Sequence, residues 1–347
     1  MSILEGNFSE KGAFLRNPAD GSLLVGFGGQ FDVVKNFRPD SREVFYLKDF
    51  YADTYLRYIP ETILRLTPSE QEELLKTPAP TGIQFQSVGT EDHIYQEDFR
   101  DLLKSFSGTL RKVVMISREN FIPEASAGST VAHLFRKALA FGAGIPYGLW
   151  GSDFGIIGST PEELFTLKDG LLSTHALAGT SQKGLDEELL NSQKDLLEHN
   201  LVVQDITEKL VPFSEKIEVG DIHTVQFKSI IHLRTDISAA VSDDADISSL
   251  VSALSPTAAL GGYPKKESLK FLKETRYFKK YPERSFGSAM GVVTKEESRF
   301  VVMIRNVQWR KDTFYIERGG GIVPGSTLDK ELNEIAWKRN VVKDHYL

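Results

Sequence analysis

The order of predicted secondary structure restricts the fold of this chain more than any other feature. From about residue 95, amphipathic helices alternate with strand segments, many of which form hairpin-like pairs. The predicted helices cover 95–106, 130–141, 186–210, 247–254, 265–276 and a stretch after 326, and the predicted strands cover 111–117, 147–157, 163–175, 215–241 and 286–317. Hairpin-like strand pairs beside a few helices are typical of antiparallel sheets with helices packed outside. We therefore predict an α+β fold.

The first 90 residues differ from the rest of the chain. They contain short strands interrupted by glycine and proline, and one polar helix is predicted over 68–76. The run Gly26-Phe27-Gly28-Gly29 is predicted to be a hairpin turn, because no Lys-Ser or Lys-Thr pair follows it as in a phosphate-binding loop. No segment has the composition of a linker between independent domains, so we expect one unit over 1–347.

The composition argues against several classes of function. The chain has 347 residues, 41% of them hydrophobic, and a net charge of −7. This charge argues against binding to nucleic-acid phosphates, since such proteins normally present a basic face. There is no cysteine for disulfides or thiolate metal sites. The N-terminal residues lack a basic and apolar leader, and no window approaches the ~18 apolar residues of a membrane span. We expect a soluble, cytoplasmic enzyme.

The region after residue 317 combines a glycine-rich run with a charged helix. We predict that Arg318-Gly319-Gly320-Gly321-Ile322-Val323-Pro324-Gly325-Ser326 forms a turn whose glycines expose backbone N–H groups to an oxyanion. On the following helix, Glu331, Glu334 and Lys338 fall within about 60° of one another at 3.6 residues per turn. Together these groups would bind a dianion and a metal ion. The alternative is a capped surface helix with an ordinary Glu334–Lys338 pair.

An arginine precedes this region within an apolar strand pattern. In Phe300-Val301-Val302-Met303-Ile304-Arg305-Asn306-Val307, the strand period of two places Arg305 on the same face as Val301, Met303 and Val307. An unpaired buried charge costs free energy. We therefore expect the guanidinium to have an acidic partner or an anionic ligand.

A second acidic pair lies on the predicted helix 186–210. Asp195 and Glu198 share a helical stripe with the apolar residues Val202 and Ile206, so the carboxylates line up with buried positions. The alternative is a solvated helix face. Two acidic pairs on two helices suit a hard cation, and Mg²⁺ takes one or two carboxylates and completes its shell with waters and substrate oxygens.

These blocks resemble the chorismate-utilising enzymes, a family that includes isochorismate synthase, salicylate synthase, the large subunit of anthranilate synthase and aminodeoxychorismate synthase. The C-terminal block Ile304-Arg305, Gly319 to Val323 and Glu331-x-x-Glu334-x-x-x-Lys338 is similar to the most characteristic signature of that family. Other blocks follow in the same order over roughly residues 91–347. The resemblance implies two mainly antiparallel β-sheets packed in the centre, a variable N-terminal part over 1–90 and a catalytic core over 91–347.

The resemblance also implies the cofactor and its ligands. The cofactor would be Mg²⁺. It would be held directly by Glu198 and Glu334, with Asp195 and Glu331 acting through waters.

Two further blocks resemble those that carry the family's base and acid. Leu110 to Arg118 is similar to the strand with the water-activating lysine, here Lys112, which must be uncharged to act as a base; the alternative is a strand-edge lysine that prevents aggregation. Gly158 to Phe165 is similar to the segment with the general acid, which by its position after the proline is Glu162. That acid must keep its proton near neutrality, as a partly apolar site allows. The alternatives are a helix-start acid favoured by the dipole and the neighbouring Glu163.

Other positions distinguish between members of the family. The block His175-Ala176-Leu177-Ala178-Gly179-Thr180 has alanine where aminodeoxychorismate synthases carry a nucleophilic lysine, and Lys112 stands where anthranilate synthase typically has glutamine. Ala259 and Leu260 resemble isochorismate synthases, and Phe286 stands where salicylate synthases tend to have tyrosine. These positions imply isomerisation without loss of pyruvate.

The activity implied by the resemblance is that of an isochorismate synthase, which converts chorismate to isochorismate with Mg²⁺. Lys112 would take a proton from the water that attacks C2, and Glu162 would protonate the leaving 4-hydroxyl. His232 matches a family histidine near the substrate ring, although a histidine between apolar residues is often only a core residue. The residues implied to contact the substrate are Gly179, Thr180, Ala259, Leu260, Phe286, Arg305, Gly320 and Lys338.

Two alternatives stay open at this point. One is a salicylate synthase, which would go on to expel pyruvate, and the other is a catalytically silent homologue that binds chorismate or Mg²⁺. Two features depart from the family pattern: Ser255 stands where isochorismate synthases frequently have histidine, and Glu317-Arg318 precede the glycines where small or aromatic residues are usual. We expect no nucleic-acid or membrane partner and no glutaminase subunit.

Overall fold

A computed structural model describes residues 8, 10–37, 42–77, 82–106, 108–142, 144–227, 230–242 and 245–347. The strands are β1 Gly12–Arg16, β2 Leu23–Phe27, β3 Gln30–Val34, β4 Val44–Lys48, β5 Tyr55–Ile59, β6 Thr62–Leu66, β7 Phe85–Thr90, β8 Lys112–Pro123, β9 Ile145–Trp150, β10 Phe154–Thr160, β11 Glu163–Lys168, β12 Leu171–Gln182, β13 Ser214–Val219, β14 His223–Phe227, β15 Ile230–Val241, β16 Gly262–Tyr263, β17 Ala289–Val293, β18 Glu297–Val302, β19 Asn306–Arg310 and β20 Thr313–Ile322. The helices are α1 Pro68–Lys76, α2 Asp92–Ser105, α3 Ala127–Ala140, α4 Asp186–Asn191, α5 Gln193–Leu210, α6 Ile247–Leu254, α7 Lys265–Glu274, α8 Arg276–Lys280 and α9 Leu328–Tyr346. A 3₁₀ turn follows α5 at Val211–Phe213.

In the described part of the chain, the strands form two antiparallel sheets of ten strands each. The first sheet has the order β16-β8-β20-β19-β10-β9-β1-β2-β6, with β7 also paired to β8. The second has the order β13-β15-β12-β11-β18-β17-β4-β5-β3, with β14 also paired to β15. This arrangement confirms the predicted α+β fold with two mainly antiparallel sheets. The first 90 residues supply strands to both sheets, and their assignment as a variable part stays a prediction.

The two sheets pack face to face through a shared apolar layer. Ala13 and Leu15 of β1 point into this layer, whereas Phe14 between them points towards the helices outside, as the two-residue period of a strand requires. The layer also contains residues of both sheets, among them Leu24, Tyr147, Ile156, Phe45, Tyr58, Met290 and Val301. Burial of this layer away from water holds the sheets together.

The helices cover the outer faces of the sheets. α1, α3 and α9 pack on the first sheet through Leu74, Leu134 and Tyr346, and α5 and α6 pack on the second through Val202 and Leu250. This placement confirms the expected position of the helices outside. Within the described ranges, no helix combines the length and the apolar composition needed to cross a membrane.

Two of the predicted helices are each interrupted once. The predicted helix 186–210 is divided into α4 and α5, because Ser192 has an extended backbone (ψ 109°) and its hydroxyl accepts a hydrogen bond from the N–H of Asp195 as an N-cap. The predicted helix 265–276 ends at Thr275 (ψ 155°), which caps α8 by accepting from the N–H of Phe278. Serine and threonine favour such cap positions over helix interiors. The helices predicted over 68–76 and 247–254 are confirmed.

The prediction of a hairpin at Gly26-Phe27-Gly28-Gly29 is wrong. The strands on either side lie in different sheets, since β2 pairs with β1 and β6 while β3 pairs with β5. Gly28 and Gly29 have φ values of 67° and 71°, which glycine adopts without steric cost. The turn therefore carries the chain from one sheet to the other.

The chain crosses between the sheets at two further places that lie side by side. Pro161 and Glu162 join β10 of the first sheet to β11 of the second, and residues Met303 to Arg305 join β18 of the second sheet to β19 of the first. Hydrogen bonds from Val302 N to Glu162 O (3.0 Å) and from Ser159 N to Arg305 O (3.2 Å) tie the two crossings together. Their side chains border the same cavity.

Candidate active site

A cavity lies where β8 and β20 of the first sheet meet β12 and β15 of the second. α5 and α9 border it with Glu198 and Lys338. Its walls include Glu162 and His232 and every residue predicted to contact the substrate, namely Gly179, Thr180, Ala259, Leu260, Phe286, Arg305, Gly320 and Lys338. The structure therefore gathers at one place residues that are spread over most of the sequence.

The prediction that Gly319 to Gly321 form a turn is wrong, because these glycines lie within β20. They pair with β8, where Gly319 faces Ile116 and Gly321 faces Val114. A Cβ at Gly320 would lie 3.1 Å from Glu331 Oε2. A Cβ at Gly321 would overlap Glu198 Oε1 and lie 2.6 Å from Lys112 Cε. The glycines thus make room for charged side chains that pack against the main chain.

In the described part of the chain, three lysines contact carboxyl groups of the two predicted acidic pairs. The ion pairs are Lys112 Nζ to Glu198 Oε1 (2.9 Å), Lys194 Nζ to Glu331 Oε1 (3.2 Å) and Lys338 Nζ to Glu334 Oε1 (2.6 Å). Lys194 lies on α5 and its partner lies on α9, so this pair joins the two helices. Asp195 lies behind Gly179, whose Cβ would be 3.3 Å from Asp195 Cβ. Both predicted acidic pairs therefore lie beside glycines that line the cavity, and Glu198 is the member of these pairs in the cavity wall.

Burial and neighbouring charges shift the pKa values of these acids in opposite directions. Burial raises the pKa of Glu198, but the neighbouring ammonium groups, above all that of Lys112, lower it more, so the pKa lies below its usual value. Burial and the charge of Glu334 raise the pKa of Glu331, and Lys194 offsets only part of this rise. Glu198 thus ionises readily, whereas Glu331 resists ionisation. An added cation would relieve the repulsion between the carboxyl groups of Glu331 and Glu334.

The donor set fits a hard divalent cation. The acidic side chains of α5 and α9 offer only oxygen atoms, and Glu331 Oε2 is buried with no hydrogen-bond partner among the described residues. Among the described residues, no group of three or more His, Asp or Glu side chains has an arrangement that could hold a metal ion. Lysine ammonium groups contact the carboxylates of α5 and α9 instead. Mg²⁺ needs only one or two protein carboxylates, which Glu198 and Glu334 could supply. The assignment of Asp195 and Glu331 to the outer shell stays a prediction.

Glu162 is a buried carboxyl group in the cavity wall, 3% exposed. Burial raises its pKa to about 8, although a hydrogen bond from Thr257 Oγ1 to Oε1 (3.4 Å) and the charges of Lys112 and Lys338 lower the pKa in part. With this pKa the carboxyl group is mostly protonated at neutral pH. An acid that keeps its proton at pH 7 can donate it to a departing group.

The alternatives considered for this acid do not match the structure. No helix begins after Pro161, because Glu162 leads directly into β11. The neighbouring Glu163 accepts a hydrogen bond from Thr166 Oγ1 and is not part of the cavity wall. Glu162 is therefore the carboxyl group of this segment that faces the cavity.

His232 lies on β15 and contributes a neutral imidazole to the cavity wall. Its Nδ1 is 3.0 Å from Thr180 Oγ1. Burial, and then the positive charges of Arg305 and Lys338, place the pKa of His232 well below its usual value. Its Nε2 is buried without a hydrogen-bond partner in the described ranges. The ring can therefore offer Nε2 to a ligand.

The prediction that Arg305 lies within a strand is wrong. β18 ends at Val302 and β19 begins at Asn306, so Arg305 lies in a bend, where its φ of 56° falls in the left-handed region that non-glycine residues rarely adopt. The guanidinium is buried, and burial lowers the pKa of Arg305 to about 10 despite the charge of Glu334. Its Nη1 has no hydrogen-bond partner among the described residues. A buried donor without a partner suits an anionic ligand.

The apolar side of the cavity is formed by Ala259, Leu260 and Phe286. The loop that carries the first two is held by buried charged groups at several points. Asp205 Oδ2 accepts from the N–H of Ala258 (3.1 Å), and Arg284 Nη2 donates to the Leu260 carbonyl (3.1 Å). These bonds hold the loop in place.

Several residues of the site were not among those predicted from the sequence, and three of them have polar side chains with a clear role in its structure. Thr257 donates to Glu162, Lys194 joins α5 to α9, and Glu317 is a buried carboxylate in the cavity wall. Thr257 is close to Ala259 in the chain, and Glu317 stands out in the sequence only as a departure from the family pattern. The partner of Lys194 lies on a distant helix, so no local pattern could reveal it.

Comparison with known proteins agrees with this fold. The profile of a family described as chorismate binding enzyme matches residues 33–344. A salicylate biosynthesis isochorismate synthase from Pseudomonas aeruginosa is 33% identical over 199 residues, which are 54% of this chain and 41% of the relative. The isochorismate synthase MenF from Haemophilus influenzae is 30% identical over 248 residues, which are 68% of this chain and 56% of the relative. The chain thus spans about half the length of these curated relatives.

Anthranilate synthases and solved structures are also similar. Anthranilate synthase component 1 from Mycolicibacterium smegmatis is 29% identical over 211 residues, which are 57% of this chain and 40% of the relative. The structure of MenF, the menaquinone-specific isochorismate synthase from Escherichia coli, has a TM-score of 0.85 at 20% identity and covers 100% of this chain and 91% of that one. Anthranilate synthase component I from Streptococcus pneumoniae has a TM-score of 0.69 at 18% identity, covering 87% and 76%. At these identities the structures agree in fold.

Proposed function

This chain belongs to the family of chorismate binding enzymes, and from this premise we propose that it isomerises chorismate to isochorismate. The observation that carries the proposal is Glu162, a buried carboxyl group in the cavity wall whose pKa of about 8 keeps it protonated at neutral pH. Moving a ring hydroxyl by exchange with water requires an acid for the departing hydroxyl and a base for the incoming water. Similarity to isochorismate synthases supports this choice of reaction.

Lys112 is the proposed base. Its side chain is fully buried on β8, and its Nζ lies 2.9 Å from Glu198 Oε1. Since only an uncharged amine can accept a proton, the contact with Glu198 must weaken before water is activated. Lys112 would then take a proton from the water that attacks C2, while Glu162 gives its proton to the leaving 4-hydroxyl and the ring double bonds shift. Acid and base catalysis of this kind contributes roughly 10²–10⁴-fold for each group.

Mg²⁺ is the proposed cofactor. Glu198 and Glu334 would hold it, and Asp195 and Glu331 would orient its waters. When bound, the ion would neutralise and position a carboxylate of the substrate. Glu198 and Glu334 would exchange their contacts with Lys112 and Lys338 for contacts with the ion.

The remaining walls of the cavity suit a small dianionic ring. Arg305 and Lys338 would bind the substrate carboxylates, as the unpartnered Nη1 of Arg305 indicates. His232 and Thr180 line the cavity from β15 and β12 and would face the ring. Phe286 has no hydroxyl group to offer to the ring, which favours isomerisation over a further loss of pyruvate.

Product analysis tests this proposal. The purified chain is incubated with chorismate and Mg²⁺, and the products are resolved by chromatography, with a Glu162→Gln variant as the inactive control. Isochorismate without salicylate is the expected product. Formation of salicylate and pyruvate would establish the salicylate synthase alternative, and unchanged chorismate would support a homologue that binds without turnover.

A further inference from the structure

A series of buried polar side chains runs from the cavity wall to the bend at Arg305. We call it the buried relay, and its members are Glu317, Gln308, Asn306 and Tyr147. Gln308 Nε2 donates to Glu317 Oε2 (3.1 Å) and to Asn306 Oδ1 (3.0 Å). Asn306 Nδ2 donates to the Tyr147 hydroxyl (2.7 Å), which in turn donates to the Ile304 carbonyl (2.9 Å). The relay therefore ends on the residue directly before Arg305.

The two ends of the buried relay set the direction of every hydrogen bond within it. A carbonyl only accepts, so Tyr147 must give its single proton to Ile304 and accept from Asn306. Asn306 then turns its oxygen towards Gln308, whose amide group has two protons to donate. The second of these protons goes to the carboxylate of Glu317. This is the arrangement in which each of these bonds has both a donor and an acceptor.

The Glu317 end of the buried relay is held in place by further polar contacts. Glu317 Oε1 accepts from the hydroxyl of Tyr277 (2.6 Å) and lies 3.3 Å from Arg118 Nη2. The guanidinium of Arg118 lies over the rings of Tyr281 and Tyr315, at 4.1 and 3.5 Å from their centroids. The relay members are at most 2% exposed. A fully satisfied buried network of this kind is rigid, because each broken bond leaves a polar group without water.

The Tyr147 end of the buried relay contacts a backbone segment that has a strained conformation. Arg305 has φ 56°, and a non-glycine residue keeps such a conformation only where its surroundings impose it. The Ile304 carbonyl, which precedes the Cα of Arg305, accepts a hydrogen bond from the Tyr147 hydroxyl. The carbonyl of Arg305 itself accepts from Ser159 N (3.2 Å). With both flanking peptide planes held, the direction of the Cα–Cβ bond of Arg305 is also fixed, and its side chain borders the cavity.

We propose that the buried relay is a positioning device that aims Arg305 at a carboxylate of the substrate, and that Tyr147 is its decisive member. The proposal rests on the function proposed above for Arg305. Tyr147 itself is not in the cavity wall, so its effect on ligand affinity must pass through the bend.

A double-mutant cycle on ligand binding tests this role. Chorismate affinity is measured by calorimetry in a Glu162→Gln background, after chromatography has shown that this variant leaves chorismate unchanged, so that the heat reports binding alone. We expect Tyr147→Phe to weaken binding about tenfold, the upper range for one lost hydrogen bond, and Arg305→Ala to weaken it about 100-fold. If Tyr147 acts through Arg305, the double variant binds within about twofold of Arg305→Ala alone.

The matched control is Tyr58→Phe. Tyr58 is fully buried in the same apolar layer and donates to the Gly28 carbonyl (2.7 Å) instead of to a carbonyl of the bend, so its variant should bind chorismate as the parent does. A second variant, Asn306→Leu, keeps roughly the size of the side chain but can neither donate nor accept, so it removes the hydrogen bond that joins Tyr147 to the rest of the buried relay. It should weaken binding to the same extent as Tyr147→Phe. Additive losses in the cycle, unchanged affinity in Tyr147→Phe and Asn306→Leu, or an equal loss in Tyr58→Phe would overturn the proposal.

Discussion

Replacing Glu162 by glutamine should abolish turnover and at the same time stabilise the folded chain at neutral and alkaline pH. The buried carboxyl group has a pKa of about 8, against an ordinary value of 4.5. The folded state therefore holds the proton more tightly than the unfolded chain. The stability that this proton supplies is fully present below pH 4.5 and is lost as the pH rises through about 8. A glutamine does not titrate, so the variant escapes this loss.

The size of the effect follows from the two pKa values. One pKa unit corresponds to about 1.4 kcal/mol, and the difference between the two states reaches about 5 kcal/mol once both are ionised. On this basis, the wild-type free energy of unfolding should fall relative to Glu162→Gln by about 1 kcal/mol at pH 5, about 3 kcal/mol at pH 7 and about 5 kcal/mol at pH 9. The pH-dependent part of the difference isolates the proton from other effects of the substitution.

Urea unfolding followed by tryptophan fluorescence at these three pH values measures the effect. The matched control is Glu70→Gln. Glu70 has a lowered pKa because it accepts hydrogen bonds from the backbone N–H and hydroxyl of Thr67, so its contribution is complete above pH 4.5 and should stay constant from pH 5 to 9. The wild-type kcat should also fall above about pH 8, as the acid loses its proton. A constant difference between Glu162→Gln and wild type over this range would refute the assignment of Glu162 as a protonated acid.

Three further predictions concern the rest of the site. Gly321→Ala should lower turnover at least about 100-fold, because its Cβ would overlap Glu198 Oε1. The control is Gly108→Ala, whose Cβ would meet no atom within 4 Å. Equal activity in the two variants would contradict the placement of Glu198 against Gly321. Lys112→Gln should abolish turnover and keep chorismate binding within about tenfold, and normal turnover in this variant would exclude Lys112 as the base. A chelator should abolish turnover and Mg²⁺ should restore it, with Glu198→Gln needing more Mg²⁺ for half-maximal rate; turnover in the presence of the chelator would contradict the role of Mg²⁺.

The periodicity of the sequence was sufficient to predict the relative directions of functional groups that share one helix. Asp195 and Glu198 lie on α5 beside buried positions, and Glu331, Glu334 and Lys338 lie on α9. Helical spacing depends only on the backbone geometry of one segment, so the relative directions of these groups could be predicted without knowledge of the fold.

Periodicity failed where the chain leaves one sheet for the other. Arg305 continues the alternation of its strand in the sequence, but β18 has already ended and the next strand pairs in the first sheet. The composition misled in a different way at Gly319 to Gly321, which are rich in glycine as turns are and nevertheless lie within β20 and pair with β8 of the same sheet. Which strands pair is decided by contacts between distant segments, and no local pattern reports them.

The sequence by itself determined the family, the α+β class, most helices and the residue types that the site requires. The tertiary structure decided which of these residues meet and which protons they hold. Lys194 and Glu331 are 137 positions apart and form an ion pair, and Glu162 has its raised pKa only because both sheets exclude water around it. Burial and contacts between distant segments arise when the whole chain packs, so neither can be read from the neighbours of a residue in the sequence.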